Sequence, residues 1–441
     1  VVGAGPAGLF AARTLAENGV HATLFNRDLK PGGLAEYGIY PDKEKMKDGL
    51  RKQFSRVLGT EGIQYFGNVS VGAQGDFSLD DLRGMGFDAI LITVGAQGTK
   101  WLGLEGEDLR GVYHAKDIVY HYNLLPPFSE MSFPLGRRVA LIGAGNVMLD
   151  IAHWAVRAVQ VEEVTAVVRR GPDDVKFTPK EFEYIAANLD LAAYKAEYAR
   201  CFPTMQAAGQ DGSKAQAHIL APIEKAHPPV SGTRFRFDFL ASPTRMLGEN
   251  GRVTALEVEE TTLFLKNGVT QSGTTGVTRA LPVDSVVFCI GDRVDAALGL
   301  PLDDRGNYAK RPDPAFPIEG KSYEAWHPAG HPLRGIFLAG WAREASTGLV
   351  GDARKDGTNG AQAVLAYLRT LTPIATPNGH VAAIHKSVHS LPHPVITTRD
   401  WERLDALEKG IAAERGQPAF KFGTNAEMLA ALGLDKSPIP A

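Results

Sequence analysis

The first eight residues, Val1-Val2-Gly3-Ala4-Gly5-Pro6-Ala7-Gly8, restrict the fold more tightly than any other stretch of the chain. Two β-branched residues run into Gly-x-Gly-x-x-Gly. Leu9, Ala12, Leu15 and Ala16 then share one helical face, and Asn18-Gly19 ends the helix. The apolar run 21–25 reads as the next strand. A strand, a glycine turn, a helix and a second strand are the start of a dinucleotide-binding fold. Gly3 makes the tight turn, Gly5 lets the backbone approach a pyrophosphate, and Gly8 lets helix and strand pack closely. Pro6 and Ala7 open the helix, so its free N–H groups and positive dipole end face the same place. A ligand-free glycine turn is the plainer alternative, and the flanking strand and helix weigh against it.

A ribose-binding carboxylate is expected about 20 residues further on, but the second strand ends in Asn26-Arg27. The Asn26 amide oxygen can accept a hydroxyl hydrogen bond, though without charge and so more weakly. Residues 29–42 hold three glycines, including Gly33, and two prolines, and they form a shaped loop. The spacing of Met46, Leu50, Phe54, Val57 and Leu58 predicts an amphipathic helix with these on its buried face. Short strands are expected at 63–66 and 69–71. A buried strand at 87–94 ends in Gly95, where a parallel sheet presents a ligand.

The opening theme then returns. Residues 138–142 are an apolar strand running into Gly143-Ala144-Gly145-Asn146-Val147-Met148, with a helix through Asp150, Ile151, Trp154 and Ala158. The strand after it, 164–168, ends in Arg169-Arg170. Arginine at this place accommodates a cofactor 2′-phosphate. Two nucleotide folds, one ending in arginines, imply FAD in the first and NADP in the second. Strands are expected at 234–239, 253–260, 261–265 and 283–290. Another follows at 336–338, running into Gly340-Trp341, and then a loop leads into a helix with Ala361, Val364, Leu365 and Leu368 on one face.

At 441 residues the chain suits two or three domains. Its 47 basic and 50 acidic side chains nearly balance, which gives no nucleic-acid footprint. No apolar run is long enough to span a bilayer. The 2 cysteines, Cys201 and Cys289, supply neither a Cys-x-x-Cys pair nor an iron–sulfur ligand set, and they suit a reducing compartment. Because the first strand is so short, residues are expected to precede Val1, and any targeting segment would lie among them. A cytoplasmic location is expected, and a mitochondrial-matrix one stays open.

Together these stretches resemble the adrenodoxin-reductase type of ferredoxin–NADP reductase, within the glutathione-reductase-like flavoproteins. The likeness is carried by residues 2–8 and by residues 33–42 in their Gly-Leu-x-x-Tyr-Gly-x-x-Pro-Asp form. It continues through 143–150 with Arg169-Arg170-Gly171-Pro172 and Phe177-Thr178, through Ala339-Gly340-Trp341 with Thr347-Gly348, and through the tail at 415–432. The resemblance implies an α/β fold of two Rossmann-like dinucleotide-binding domains. An NADP domain at 105–297 would be inserted in a discontinuous FAD domain formed by 1–104 and 298–441. It also implies hydride passing from NADPH to FAD and single electrons leaving to a ferredoxin-type iron–sulfur protein, in a monomer or weak dimer. Gly3, Gly5, Pro6, Ala7, Gly8, Asn26, Arg27, Gly33, Leu34, Gly95, Gly340, Trp341, Gly348, Leu349 and Val350 would line FAD. Gly143, Gly145, Asn146, Val147, Arg169, Arg170 and Glu181 would hold NADPH. The chain departs from the family at Asn26, where Glu is usual, at Lys43, where His is frequent, and at Glu36, where Arg is frequent. The acceptor-binding arginines expected near 190–205 are reduced to Lys195 and Arg200.

Hydride transfer asks the protein mainly to hold two rings about 3–3.5 Å apart and to keep water away. Trp341, behind the glycine end of a strand, and Lys43, with Glu36 near it, are the candidate groups beside the flavin. His380, His385, His389 and His393 lack an intervening carboxylate and are interrupted by Pro392, so no metal site is expected. Two other classes of function stay open on the residues alone. One is an FAD/NADPH enzyme that acts directly on an organic substrate or feeds a synthase or oxygenase partner. The other is a non-enzymatic nucleotide-binding module.

Overall fold

The computed structural model describes residues 1–346, 348–372 and 377–435. They divide into two compact units. Val1–Gly98, Tyr120–Glu130 and Asp292–Ala441 make the first, and Thr99–Val119 and Met131–Gly291 make the second, which interrupts it. Tyr120–Glu130, inside the range expected for the inserted domain, packs with the first unit. There Tyr120 and Leu125 are buried with Tyr37 against Leu34 and Phe128.

The first unit opens with α1 (Pro6–Glu17), β1 (Ala22–Asn26), α2 (Leu34–Tyr37), α3 (Glu44–Leu58), β2 (Ile63–Gly67) and β3 (Ile90–Ile92). β1 and β2 pair in parallel with Phe25 opposite Phe66. Val2 bridges in parallel to both Phe25 and Ile92, so the first residues lie between β1 and β3. The strand expected at 69–71 is a single bridge from Val71 to Phe77. The one expected at 87–94 shrinks to Ile90–Ile92, the length over which Ile336, Phe337 and Leu338 pair with it.

The second unit holds β4 (Val112–His114), β5 (Arg138–Ile142), α4 (Asn146–His153), β6 (Glu163–Val168), β7 (Arg234–Phe239), β8 (Ala241–Glu249), β9 (Arg252–Lys266), β10 (Val269–Pro282) and β11 (Ser285–Phe288). Its parallel sheet has the order β4-β11-β5-β6-β7. β8, β9 and β10 form a separate antiparallel sheet. The two strands expected at 253–260 and 261–265 are one, β9, whose register against β10 shifts between Glu259 and Thr261. β5, the glycine turn, α4 and β6 are the second βαβ unit. β5, β6 and β11 are buried along nearly their whole length, as strands covered on both faces are, whereas β7 alternates exposed Arg234 and Arg236 with buried Phe235 and Phe237.

The chain then returns to the first unit with β12 (Glu324–His327), β13 (His331–Leu338), α5 (Val350–Leu368), α6 (Pro377–His389), α7 (Thr398–Glu414) and α8 (Asn425–Leu432). β13 pairs in parallel with β3 and antiparallel with β12, which closes that edge of the sheet. On α6 the His385 and His389 rings stack on each other at 5.6 Å and meet Phe66 edge-on. His393 bonds to Asp76 at 2.8 Å instead. Among the described residues no three such side chains are grouped to hold a metal, and no helix is long and apolar enough to cross a membrane.

α3 buries Phe54, Val57 and Leu58 as its apolar spacing predicts, but its first half is rotated from that expectation. Met46 is 57% exposed, whereas Lys47 and Arg51 are buried with Phe54, Val57 and Leu58. Charge partners decide this rotation. Arg51 donates to Glu36 through Nε (2.7 Å) and Nη2 (2.9 Å), and Lys421 Nζ lies 2.6 Å from the same carboxylate. Lys30 pairs with Glu408, and Lys47 Nζ donates to Asn123 Oδ1 at 2.6 Å. Glu36, read from the sequence as a charged group beside the flavin, is therefore 3% exposed and enclosed by cations. Burial alone would raise its pKa, but Lys421, Lys30 and Arg51 outweigh burial and hold it well below the usual range. Glu36→Gln should cost about 3–5 kcal/mol in urea unfolding, because it strands buried cations. Lys47 behaves oppositely: burial first, then the charge of Lys421, brings its pKa down to about 7. Above that value the unfolded chain binds the proton and the folded one does not, so stability rises from pH 7 towards the unfolded value. The gain in Tm from Lys47→Met should accordingly be larger at pH 6 than at pH 9.

Candidate functional site

The first glycine turn is held from both sides. Gly3 N–H donates to Phe25 O at 2.7 Å, and Thr93 Oγ1 donates to Val2 O and Gly3 O at 2.9 and 2.8 Å. Gly8 is where helix meets strand: a Cβ added there would lie 1.9 Å from Gly3 O. Gly5 is different in kind, since a Cβ on it would meet nothing within 4 Å. It is the N-cap of α1, with no side-chain cap and no acid in the first turn, so the helix N–H groups face open ground. Gly33, with φ +49°, closes over this ground, its added Cβ 3.2 Å from Gly5 Cα. Such a cradle fits a pyrophosphate: unshared donors, a positive dipole end and no side chain in the way.

Asn26 lies at the end of β1 but is turned to the backbone. Its Oδ1 accepts from Ala4 N–H at 3.0 Å, and its Nδ2 donates to Asp28 O (2.7 Å) and Lys30 O (3.0 Å). It shapes the glycine turn and the loop after β1. Arg27 is exposed and pairs with Asp28 at 3.1 Å. Beyond the carboxyl ends of β1 and β2 lies a cavity of about 340 Å³, with Arg27, Asp28, Asn68, Ser70, Asp76 and His393 in its wall. Burial disfavours the Asp76 carboxylate, yet bonds from His393 and Ser70 keep its pKa below the usual range. Sequence reading weighed His393 only as a metal ligand and passed over Asn68 and Asp76. Of these two, Asn68 carried a signal, as the residue directly after a strand.

The second glycine turn repeats the pattern. Gly143 has φ +136°, and an added Cβ would lie 2.5 Å from Cys289 O, whereas one on Gly145 would meet nothing within 4 Å. Gly145 is the N-cap of α4, again without a side-chain cap. Ala144 O accepts from Lys176 and Phe177 N–H, and Asn146 Oδ1 accepts from Thr178 N–H at 2.8 Å. The loop that leads to Glu181 is thereby laid against the turn. Val147 beside it is 41% exposed. The two arginines after β6 differ. Arg170 pairs with Asp174 at 3.0 Å, while Arg169 is exposed and has no acidic partner among the described residues. Thr261 Oγ1 bonds to Arg169 O at 2.6 Å and fixes the backbone there. A free guanidinium at this strand end fits a 2′-phosphate.

The remaining expected residues of the first unit collect at the ends of its strands and helices. Gly95 (φ +73°) follows β3, and Gly340 (φ +64°) follows β13, where an added Cβ would lie 2.6 Å from Ala7 Cβ. Trp341, next to it, is half-buried, unlike the fully buried tryptophan of a core. Gly348 and the exposed Leu349 precede Val350, the first residue of α5. Thr347 lies outside the described residues. Leu34 begins α2, and Lys43, half-exposed, precedes α3. Neither cysteine is poised for thiol chemistry. Both are buried, and burial raises both pKa values, that of Cys201 to about 12 with the charge of Glu197 adding to it.

Comparison with known proteins agrees with this geometry. Residues 1–188 match the model of the Pyridine nucleotide-disulphide oxidoreductase family. The chain is 28% identical over 460 residues to NADPH-ferredoxin reductase FprA of Mycobacterium leprae, covering 97% of each protein. It is 29% identical over 473 residues to the mitochondrial NADPH:adrenodoxin oxidoreductase of Mus musculus, covering 98% of this chain and 91% of the relative. The solved structure of Mycobacterium tuberculosis FprA in complex with NADPH superposes with a TM-score of 0.81 at 25% identity, over 98% of both chains. The chain is therefore a homologue, along nearly its whole length, of the NADPH-ferredoxin and NADPH:adrenodoxin reductases.

Proposed function

We propose that this chain is a flavin-dependent oxidoreductase that takes hydride from NADPH and passes electrons to a ferredoxin-type iron–sulfur protein. The observation that carries the reading is the pair of open helix N-termini at Gly5 and Gly145, each followed by a strand with an exposed arginine, Arg27 or Arg169, just past its end. Similarity to NADPH-ferredoxin reductases along the whole chain supports the choice of donor and acceptor. Bound FAD would supply the step from a two-electron hydride donor to a one-electron acceptor.

The chain's own residues bind, orient and exclude. Gly3, Gly5, Pro6, Ala7 and Gly8, closed over by Gly33 and Leu34, hold the FAD pyrophosphate on α1. Arg27, with the cavity after β1, receives the adenosine half, and Asn26 keeps the turn in shape. Gly95, Gly340, Gly348, Leu349 and Val350 flank the flavin half, with Trp341 and Lys43 beside the ring. In the second unit Gly143, Gly145, Asn146 and Val147 hold the NADPH pyrophosphate, Arg169 and Arg170 the 2′-phosphate, and Glu181 the ribose side. Electron transfer then needs no nucleophile and no acid–base pair from the protein, consistent with the inert cysteines.

Kinetics and variants test this. NADPH should bleach the yellow holoprotein, and cytochrome c reduction should require added ferredoxin; reduction at full rate without ferredoxin would point to a direct acceptor instead. Gly5→Ala should leave the Tm of the flavin-free chain nearly unchanged but prevent FAD retention, since its methyl enters only the ligand's space. Gly145→Ala should do the same to NADPH while sparing FAD. Finally, a hydrogen bond to a charged partner contributes about 1.5–3 kcal/mol, reduced by exposure, and about 1.4 kcal/mol is tenfold. Arg169→Ala should thus lower kcat/KM for NADPH roughly ten- to a hundred-fold and leave that for NADH nearly unchanged. Arg170→Ala should do less, because Asp174 already occupies that side chain.

A further inference from the structure

Trp341 stands on a single helical turn in which the Arg343 and Glu344 N–H groups both donate to Gly340 O at 3.0 Å. Gly340 takes φ +64°, which a residue with a side chain adopts at a cost, and β13 has ended before it. One carboxylate from α5 ties this turn to the rest of the unit. Asp356 Oδ2 accepts from Gly340 N–H at 2.6 Å, while Asp356 Oδ1 accepts from Arg343 Nη2 at 2.6 Å and from Tyr323 Oη at 3.0 Å. Arg343 Nε lies 3.1 Å from both carboxylate oxygens. Arg343 is buried, and its guanidinium sits 4.7 Å above the Tyr323 ring. Asp356 thus holds the turn at residues 340 and 343, with Trp341 between them.

The same stretch of α5 is pressed on the phosphate-binding helix. Gly357 follows Asp356, and a Cβ on it would lie 2.1 Å from Ala7 O. Gly340 itself approaches Ala7, where an added Cβ would lie 2.6 Å from the Ala7 Cβ. The distance from the first turn of α1 to Trp341 is therefore set by a short chain of rigid contacts: Ala7 to Gly357, Asp356 to Gly340, Gly340 to Ala7.

We propose that Asp356 is a positioning residue for hydride transfer: it fixes the Gly340–Arg343 turn against α1 and so sets where Trp341 stands relative to the flavin. The proposal rests on the reading of Trp341 as a flavin neighbour. A carboxylate that accepts from a backbone N–H and a guanidinium together makes charge-assisted bonds of well-defined direction. An error of about 1 Å in a group placed for reaction can cost on the order of a hundred-fold in rate.

The test is a double-mutant cycle on the FAD-loaded chain, read by stopped-flow reduction of the flavin with NADPH. Asp356→Asn should slow the limiting rate by roughly ten- to a hundred-fold, with the NADPH concentration at half-saturation nearly unchanged. In a Trp341→Ala background the same substitution should add little, since the residue it positions is gone. In the flavin-free chain, amide hydrogen exchange should quicken across residues 340–343 in Asp356→Asn and stay as in the parent across residues 3–8. If Asp356→Asn does not fold, Arg343→Lys, which keeps the charge and loses the fork, should give the same selective slowing. Full slowing by Asp356→Asn in the Trp341→Ala background would overturn the proposal, as would a slow Trp341→Ala beside a normal Asp356→Asn. A normal Trp341→Ala would instead remove the reading of Trp341 on which the proposal rests.

Discussion

The first unit depends on how closely backbones approach the first turn of α1. Gly8 lies against Gly3 O, Gly340 against Ala7 Cβ and Gly357 against Ala7 O, at separations no side chain could share. Three segments far apart in sequence converge there because each has hydrogen in place of a methyl. The result is a dense floor beneath Gly5, the glycine whose own side is open. Close packing under a site and clear space above it are two consequences of one residue type, separated only by direction.

Beside that floor is an ionic interior of a kind globular domains seldom carry. Glu36, Arg51, Lys30 and Glu408 are buried, Lys421 is partly buried, and together they bind α2, α3, α7 and the segment before α8. Burying ions is costly, and the attraction between them only offsets that cost when the geometry is good. What such a network supplies is register: α3 cannot rotate to bury Met46 without exposing Arg51 and stranding Glu36. The loop carrying Gly33 and Leu34 is thereby held at a defined distance from Gly5.

The two dinucleotide positions are built alike but secured differently. Asn26 ties the first turn to its own following loop through three backbone bonds. Asn146 ties the second turn to the segment at Thr178, beyond the next strand. In both, a side-chain amide oxygen accepts from a backbone N–H, of Ala4 in one and of Thr178 in the other, and fixes the turn. Electron transfer asks for placement more than for reactive side chains, and placement is what these contacts supply.

Both βαβ units, the interruption of one unit by the other and the glycine cradles were legible in the sequence. Glycine spacing and apolar periodicity are local properties, and a turn that only glycine can make announces itself by its residues. The side chains that hold the cradles were not legible. Asn26 looked like a ligand contact because its position along the chain is that of one, but the direction of an amide is settled by the donors around it, here Ala4 N–H. Arg169 and Arg170 are neighbours in sequence, and only the fold places Asp174 on one of them. Lys47 and Arg51 have no place in the apolar face of α3, and no periodicity reveals that Glu36, 15 residues before Arg51, and Lys421, in the tail of the chain, would meet them indoors. Asp356 carried no signal either, because its partners, Gly340, Arg343 and Tyr323, come together only when β13 and α5 pack. Sequence determined which backbone shapes were possible. Tertiary structure decided which polar groups face one another, because electrostatic partners are chosen by distance in space and by burial, and neither is written in a local pattern.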